Sequence, residues 1–351
     1  MRKTLKIAAL AAPLTVLAGL AFAQQAADTP PKGPVKPIIV TAMKTATAPK
    51  LDALAADEVW KKAPAAQFTA VKGIHFKDDS GTTNGTLQAA YSGDMVYFLL
   101  QYEDPTESFR RSPFVKGQDG TWTKLKDPDD KGGDNNKVYE DKFAMLWNID
   151  DSIFGFNEKL SCQTGCHSGE PGKPYGNKYT ADDTELGDIW HMKTVRTGSV
   201  GQIDNQYVDH TRFDPEKSPE AGRKSDAKTG GGYTDVKLVD GKPEFMTKEG
   251  TYWIKEGDKV PFDDSKFKPG DEAASIIVAP FTGDRGVIAS AMKWENGKWT
   301  FAFSRKLTTP SKFDVQFKDL GKPYGFGVSM FDNAQVRHAY VQQPMHLTFE
   351  K

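Results

Sequence analysis

Val287-Ile288-Ala289-Ser290-Ala291-Met292-Lys293-Trp294, then Glu295-Asn296-Gly297-Lys298, then Trp299-Thr300-Phe301-Ala302-Phe303-Ser304-Arg305 reads as a β-hairpin. Asn-Gly supplies the two positive-φ positions that a tight two-residue hairpin loop demands. Trp299, Phe301 and Phe303 fall on one face of the second strand, and Thr300, Ala302 and Ser304 on the other. A face carrying three large aromatic rings needs a second layer to cover it.

The same two-residue period recurs along the chain. Leu87–Tyr91, a Ser92-Gly93-Asp94 turn and Met95–Tyr102 read as another hairpin. Phe143–Ile149 is an apolar strand. Phe326, Val328 and Met330 alternate with Gly325, Gly327 and Ser329, and Val336–Phe349 supplies a last strand or two, broken at Pro344. Residues 51–64 suit a short helical turn with Leu54 and Trp60 packed inward. Aromatic alternation with few long helical patterns predicts an all-β chain folded as a β-sandwich. Residues 104–140 and 155–250 are rich in Gly, Pro, Asp and Lys, and are expected as long loops inserted at one end of a single domain spanning 51–351.

The N-terminus carries Arg2, Lys3 and Lys6, an Ala- and Leu-rich run from Ile7, and Ala21-Phe22-Ala23 before Gln24. This pattern is that of a secretory signal peptide, residues 1–23, cleaved after Ala23. Residues 24–50, with Pro30, Pro31, Pro34 and Pro37, are expected as a flexible leader. No later segment has the length of a transmembrane helix, so the mature chain is expected in the periplasm. Lys and Arg total 46 against 47 Asp and Glu. That balance gives no basic excess for nucleic acid.

Cys162 and Cys166 are the two cysteines of the chain, and His167 follows the second directly. Two thiols beside an imidazole in an exported protein point to one covalent haem c. The thiols form thioethers to the porphyrin edge and His167 ligates the iron. Three residues separate the cysteines where the usual motif has two, and Gly165 offers backbone freedom to the wider loop. A Cys162–Cys166 disulfide is the alternative, but it would close a very short loop. A structural zinc site wants four Cys or His ligands, and three cluster here. The long inserted loops are expected to build the haem pocket. Phosphate-binding, nucleophile-elbow and zinc-hydrolase motifs are absent. Asp127, Asp129, Asp130, Asp182 and Asp183 lack the ligand spacing of an EF-hand calcium loop.

Several segments, in order, resemble the ethylbenzene dehydrogenase-related haem-binding domain family. They are Leu51-Asp52 through Trp60-Lys61-Lys62-Ala63-Pro64, Val96–Leu99 with Asp104, Tyr139–Ile149, Gly165-Cys166-His167, Asp188–Lys193 with Arg196, and Gly297–Arg305. The family includes haem-carrying γ subunits of molybdenum oxidoreductases and stand-alone c-type cytochromes. Its haem b members use Met and Lys ligands rather than a Cys-linked His, so those ligands do not transfer.

The resemblance implies His191 as the second axial ligand, because Asp188-Ile189-Trp190-His191 is similar to the Trp-His segment of the c-type members. His338 and Met145 are the alternatives, with Met192 behind them. Trp147, Trp190 and Tyr175 are candidates either to cover a porphyrin face or to pack in the core, and Lys193 and Arg196 either to pair with haem propionates or to sit in solvent. The expected function is that of a monohaem cytochrome transferring electrons without catalysing a reaction itself, as a soluble carrier or as the haem subunit of an oxidoreductase. Its partners would be redox proteins such as a molybdenum oxidoreductase or a quinol-linked membrane complex. The competing reading is a carbohydrate-binding-like β-sandwich with the disulfide and no haem. A third is a haem sensor or small oxidase with an open iron site.

Overall fold

Thirteen strands among the described residues form one continuous sheet: β1 (Ile38–Lys44), β2 (Ala66–Val71), β3 (Thr83–Ser92), β4 (Met95–Glu103), β5 (Lys142–Asn148), β6 (Gly187–Lys193), β7 (Gln202–Val208), β8 (Arg223–Ser225), β9 (Ile288–Trp294), β10 (Lys298–Lys306), β11 (Tyr324–Phe331), β12 (Ala339–Val341) and β13 (Met345–Phe349). The computed structural model describes residues 35–130, 136–160, 178–248 and 252–351. Cys162, Cys166, His167, the signal peptide and Tyr175 lie outside them.

The sheet folds over into two layers. One runs β13-β11-β5-β6-β7 and the other β2-β3-β4-β10-β9. Along one margin β7 pairs with β9 at Ile203↔Ile288. Along the other, β1 lies parallel to both β13 and β3, and β12 pairs with β11 and β2. The β-sandwich is therefore closed on both sides, with the short β8 attached to β7 alone.

The inner faces meet through aromatic rings. Phe98 of β4 stacks on Phe303 of β10 at 5.2 Å and meets Trp147 of β5 at 5.9 Å and Trp190 of β6 at 5.7 Å. Trp147, Trp190, Trp299, Phe301 and Phe303 are fully buried. The hairpin that decides the fold forms as its sequence requires. Asn296 and Gly297 take φ +54° and +73°, and Trp294 pairs with Trp299. Ahead of β2, a turn at Leu51–Ala56 leads to Trp60, which is buried against Tyr97, Leu99 and Ala302 on the outside of the second layer.

Three expectations are corrected. The 24–50 leader contains β1, whose Val40 and Ala42 reach the core; the Pro-rich residues before it hid a β-branched strand. The 155–250 loop contains β6, β7 and β8 of the main sheet. Polar residues break the alternation of β6, yet it is buried along its whole length. The inserted segments also carry short strands. Phe114–Lys116 pairs with Trp122–Lys124 and Glu272–Ala273, and Gly230–Asp235 pairs with Ile276–Thr282. They share a second hydrophobic cluster of Phe114, Trp122, Val236, Ile254, Ala273, Ala274 and Ile277. No helix among the described residues is long and apolar enough to cross a membrane.

Phe303 contacts rings from both layers, so Phe303→Ala should lower the unfolding free energy by roughly 3–5 kcal/mol. Urea denaturation reads this directly, and an unchanged midpoint would show that the aromatic slab is not the core.

Candidate functional site

Strand β6 sends alternate side chains to opposite faces. Trp190 and Met192 enter the core, while Ile189, His191 and Lys193 point out of the sandwich. His191 pairs with Ala144 of β5. Its Nδ1 lies 3.1 Å from Gln206 Oε1 on β7. An amide oxygen accepts, so Nδ1 carries the proton and Nε2 presents its lone pair. Nε2 is buried and has no hydrogen-bond partner among the described residues. Burial, followed by the charges of Lys193, Arg223, Lys142 and Arg196, holds the imidazole well below its usual titration range, and therefore neutral. A neutral, oriented imidazole with a desolvated free nitrogen is the form that binds a metal, and it fits a haem-iron ligand.

The cations around it are held in place. Lys193 contacts Asp204, which also takes Arg285 Nε at 2.6 Å and Nη2 at 2.9 Å. Arg196 contacts Glu140, whose carboxylate also accepts the backbone N–H groups of Val195 and Arg196. Lys142 Nζ donates to Ala334 O at 2.8 Å and Gln335 O at 2.9 Å, between the rings of Tyr139 and Phe331. The idea that Lys193 and Arg196 are available to propionates or to solvent is thus corrected: both are buried and neutralised by carboxylates.

The remaining expected residues divide by face. Met145, Met192, Trp147 and Trp190 are core residues on the inner side, so neither methionine shares a face with His191. His338 is on the outer side. Phe331 lies between the two histidines, with ring centroids 5.9 Å from His191 and 4.8 Å from His338. His338 Nδ1 is 3.0 Å from Val336 O.

The described residues flanking the cysteine segment reach this same face. Phe156 packs with Leu146, Ile153, Ile189, Val208 and Tyr340. A Cβ on Gly325 would lie 1.8 Å from Asn157 Oδ1, so glycine is what lets the 156–160 turn seat on β11. On the far side, Thr180 N donates to Asp209 O at 3.0 Å, just beyond β7.

Sequence reasoning did not single out Gln206, Lys142 or Phe331 for this site. Gln206 is fifteen residues from its partner, and a glutamine in a polar strand carries no local signal. Lys142 sits inside the Tyr139–Ile149 segment, where an interior lysine in an apolar strand is the clue.

The sequence matches the ethylbenzene dehydrogenase family over residues 57–343. The chain belongs to that family. The Trp60, Tyr139–Ile149, Asp188–Arg196 and Trp299 segments all lie within the matched range. Among solved structures, a family 9 carbohydrate-binding module from Caldicellulosiruptor kristjanssonii in complex with glucose is 9% identical, covering 90% of this chain and 97% of that one, with a TM-score of 0.34. A putative carbohydrate-binding protein from Bacteroides uniformis is also 9% identical, covering 90% and 100%, with a TM-score of 0.34. No curated protein matches the chain.

Replacing Asp204 by Asn would leave Lys193 buried without its counter-charge, and should cost about 3–5 kcal/mol. Burial opposes ionisation of Asp204, but Lys193 and Arg285 still hold it below the ordinary carboxylate range. Its contribution is therefore present at neutral pH and lost as pH falls through its depressed folded-state value. Denaturation of wild type and Asp204→Asn from pH 7 to 3 should give a gap that closes toward acid.

Proposed function

We propose that this chain is a periplasmic monohaem c-type cytochrome that transfers electrons, either as a soluble carrier or as the haem subunit of an oxidoreductase complex. The observation that supports it most is His191 Nε2: a buried, unpartnered lone pair on a neutral, oriented ring. It lies on the face to which the flanks of the Cys162–His167 segment are attached. In this reading Cys162 and Cys166 would hold a haem covalently by thioethers, and His167 and His191 would ligate its iron. Haem would supply the one-electron redox step, and the protein sets the potential through ligand type, burial and hydrogen bonding.

The chain's own residues carry the rest. Gln206 fixes the imidazole tautomer and orientation by accepting from Nδ1. Burial, followed by the neighbouring lysines and arginines, keeps that imidazole unprotonated. With His167 and His191 as its two protein ligands, the haem would have a lower potential than with a His and Met pair. Redox partner proteins, a molybdenum oxidoreductase among them, are the expected electron donors or acceptors.

Expression with cytochrome maturation machinery should yield a coloured protein whose pyridine haemochrome and intact mass report one haem per chain, resistant to acid-acetone extraction. A colourless, correctly exported protein with a Cys162–Cys166 disulfide would overturn the reading. His167→Ala should abolish stable low-spin haem. His191→Ala should retain covalent haem but turn it high-spin, and an unaltered spectrum would move the distal role to His338. Gln206→Leu should keep the haem and shift its potential, read by spectroelectrochemical titration.

A further inference from the structure

At the opposite end of β5 from the 156–160 turn, three carboxylates meet. Asp104 follows β4, Asp141 precedes β5 and Asp332 follows β11. One ligand oxygen from each lies within 4.8 Å of the others, and all three residues are buried. Glu140, Asp188 and Asp204 are equally buried, and each is paired with an Arg or Lys. Among the described residues no Arg or Lys pairs with Asp104, Asp141 or Asp332. Part of their hydrogen-bonding capacity is used. Asp104 Oδ1 accepts from Thr106 N at 3.1 Å; Asp141 accepts from Asn333 N, Ser108 N and Trp299 Nε1; Asp332 accepts from Phe76 N, Thr106 Oγ1 and Asn333 Nδ2. Among the described residues nothing donates to Asp104 Oδ2, although Asp104 is wholly buried.

We propose that Asp104, Asp141 and Asp332 bind one calcium ion that clamps this end of the sandwich. A buried anionic cluster without a counter-ion is costly, because each charge is stripped of water beside like charges. The donor set is all oxygen, which selects a hard cation. Ca–O bonds of about 2.3–2.6 Å place opposite ligands about 5 Å apart, in accord with the observed spread, whereas magnesium demands shorter bonds and keeps more water. The ion would join the chain after β4, before β5 and after β11, and through the Phe76 amide the turn that precedes β3. The site is distinct from the His191 face and does not depend on the haem assignment.

The test uses the intact mature protein, stripped with EGTA. Terbium should bind and luminesce on tryptophan excitation, because the Trp299 indole donates to Asp141 Oδ2 at 3.1 Å. Calcium should displace it at one equivalent per chain. Calcium at roughly 1 mM, where extracellular calcium modules saturate, should raise the melting temperature by several degrees. Asp104→Asn and, separately, Asp332→Asn should each weaken calcium binding at least tenfold and lose the calcium-dependent shift, while melting in EGTA no lower than wild type. Asp129→Asn, at an exposed acidic residue, should bind as wild type does. Absence of both terbium emission and a calcium-dependent shift in wild type would overturn the proposal. So would stoichiometric calcium binding retained by both Asp104→Asn and Asp332→Asn, or lost in Asp129→Asn.

Discussion

A guanidinium crosses the sandwich. Arg305 on β10, fully buried, donates from Nη1 to Asp188 Oδ2 on β6 at 2.9 Å and lies over the Trp190 ring at 4.8 Å. Asp188 also accepts from Trp190 Nε1 and Val315 N. A buried ion pair adds little net stability against a hydrophobic substitute, but a broken one leaves an unpaired charge in the core. Any slip of β6 against the facing layer would break it. A one-residue slip would also turn Trp190 outward and His191 inward. The pair therefore determines which face of β6 the imidazole occupies.

With that register fixed, the two sides of β6 do different work. The inner side is apolar and shape-filling. The outer side is polar, and it stays buried because each charge has a partner: Lys193 with Asp204, Arg196 with Glu140. Within that neutralised layer His191 Nδ1 is taken by Gln206, and Nε2 has no partner among the described residues. The Asp104, Asp141 and Asp332 cluster departs from the same rule, three carboxylates meeting with no Arg or Lys partner among the described residues.

How much of this was legible depended on how local each signal was. The Trp299–Phe303 alternation and Asn296-Gly297 are contained in one short stretch, and the hairpin followed from them. Membership of the ethylbenzene dehydrogenase family was readable because its segments are contiguous and ordered. Strand β6 was not read as a strand because Asp188, His191 and Lys193 break the hydrophobic pattern. Their burial depends on residues from β7, β10 and the 139–140 segment. Val40 and Ala42 of β1 were masked by the prolines before them. The tie from Gln206 to His191 and the meeting of Asp104, Asp141 and Asp332 arise from strand order, which no local window contains. The thiol pair and His167 are legible for the reverse reason: three reactive side chains within six residues need no tertiary structure to be noticed.

The parallel pairing of Ile38 with Met345 brings together the first and last strands of the sheet. Contacts so distant along the chain form late, since the intervening loop entropy is lost before they contribute. β1 can pair with β3 at short sequence range, but its pairing with β13 waits on strands about three hundred residues apart. Removal of β13 would leave β1 and β11 each short of one neighbour and open one margin of the sandwich.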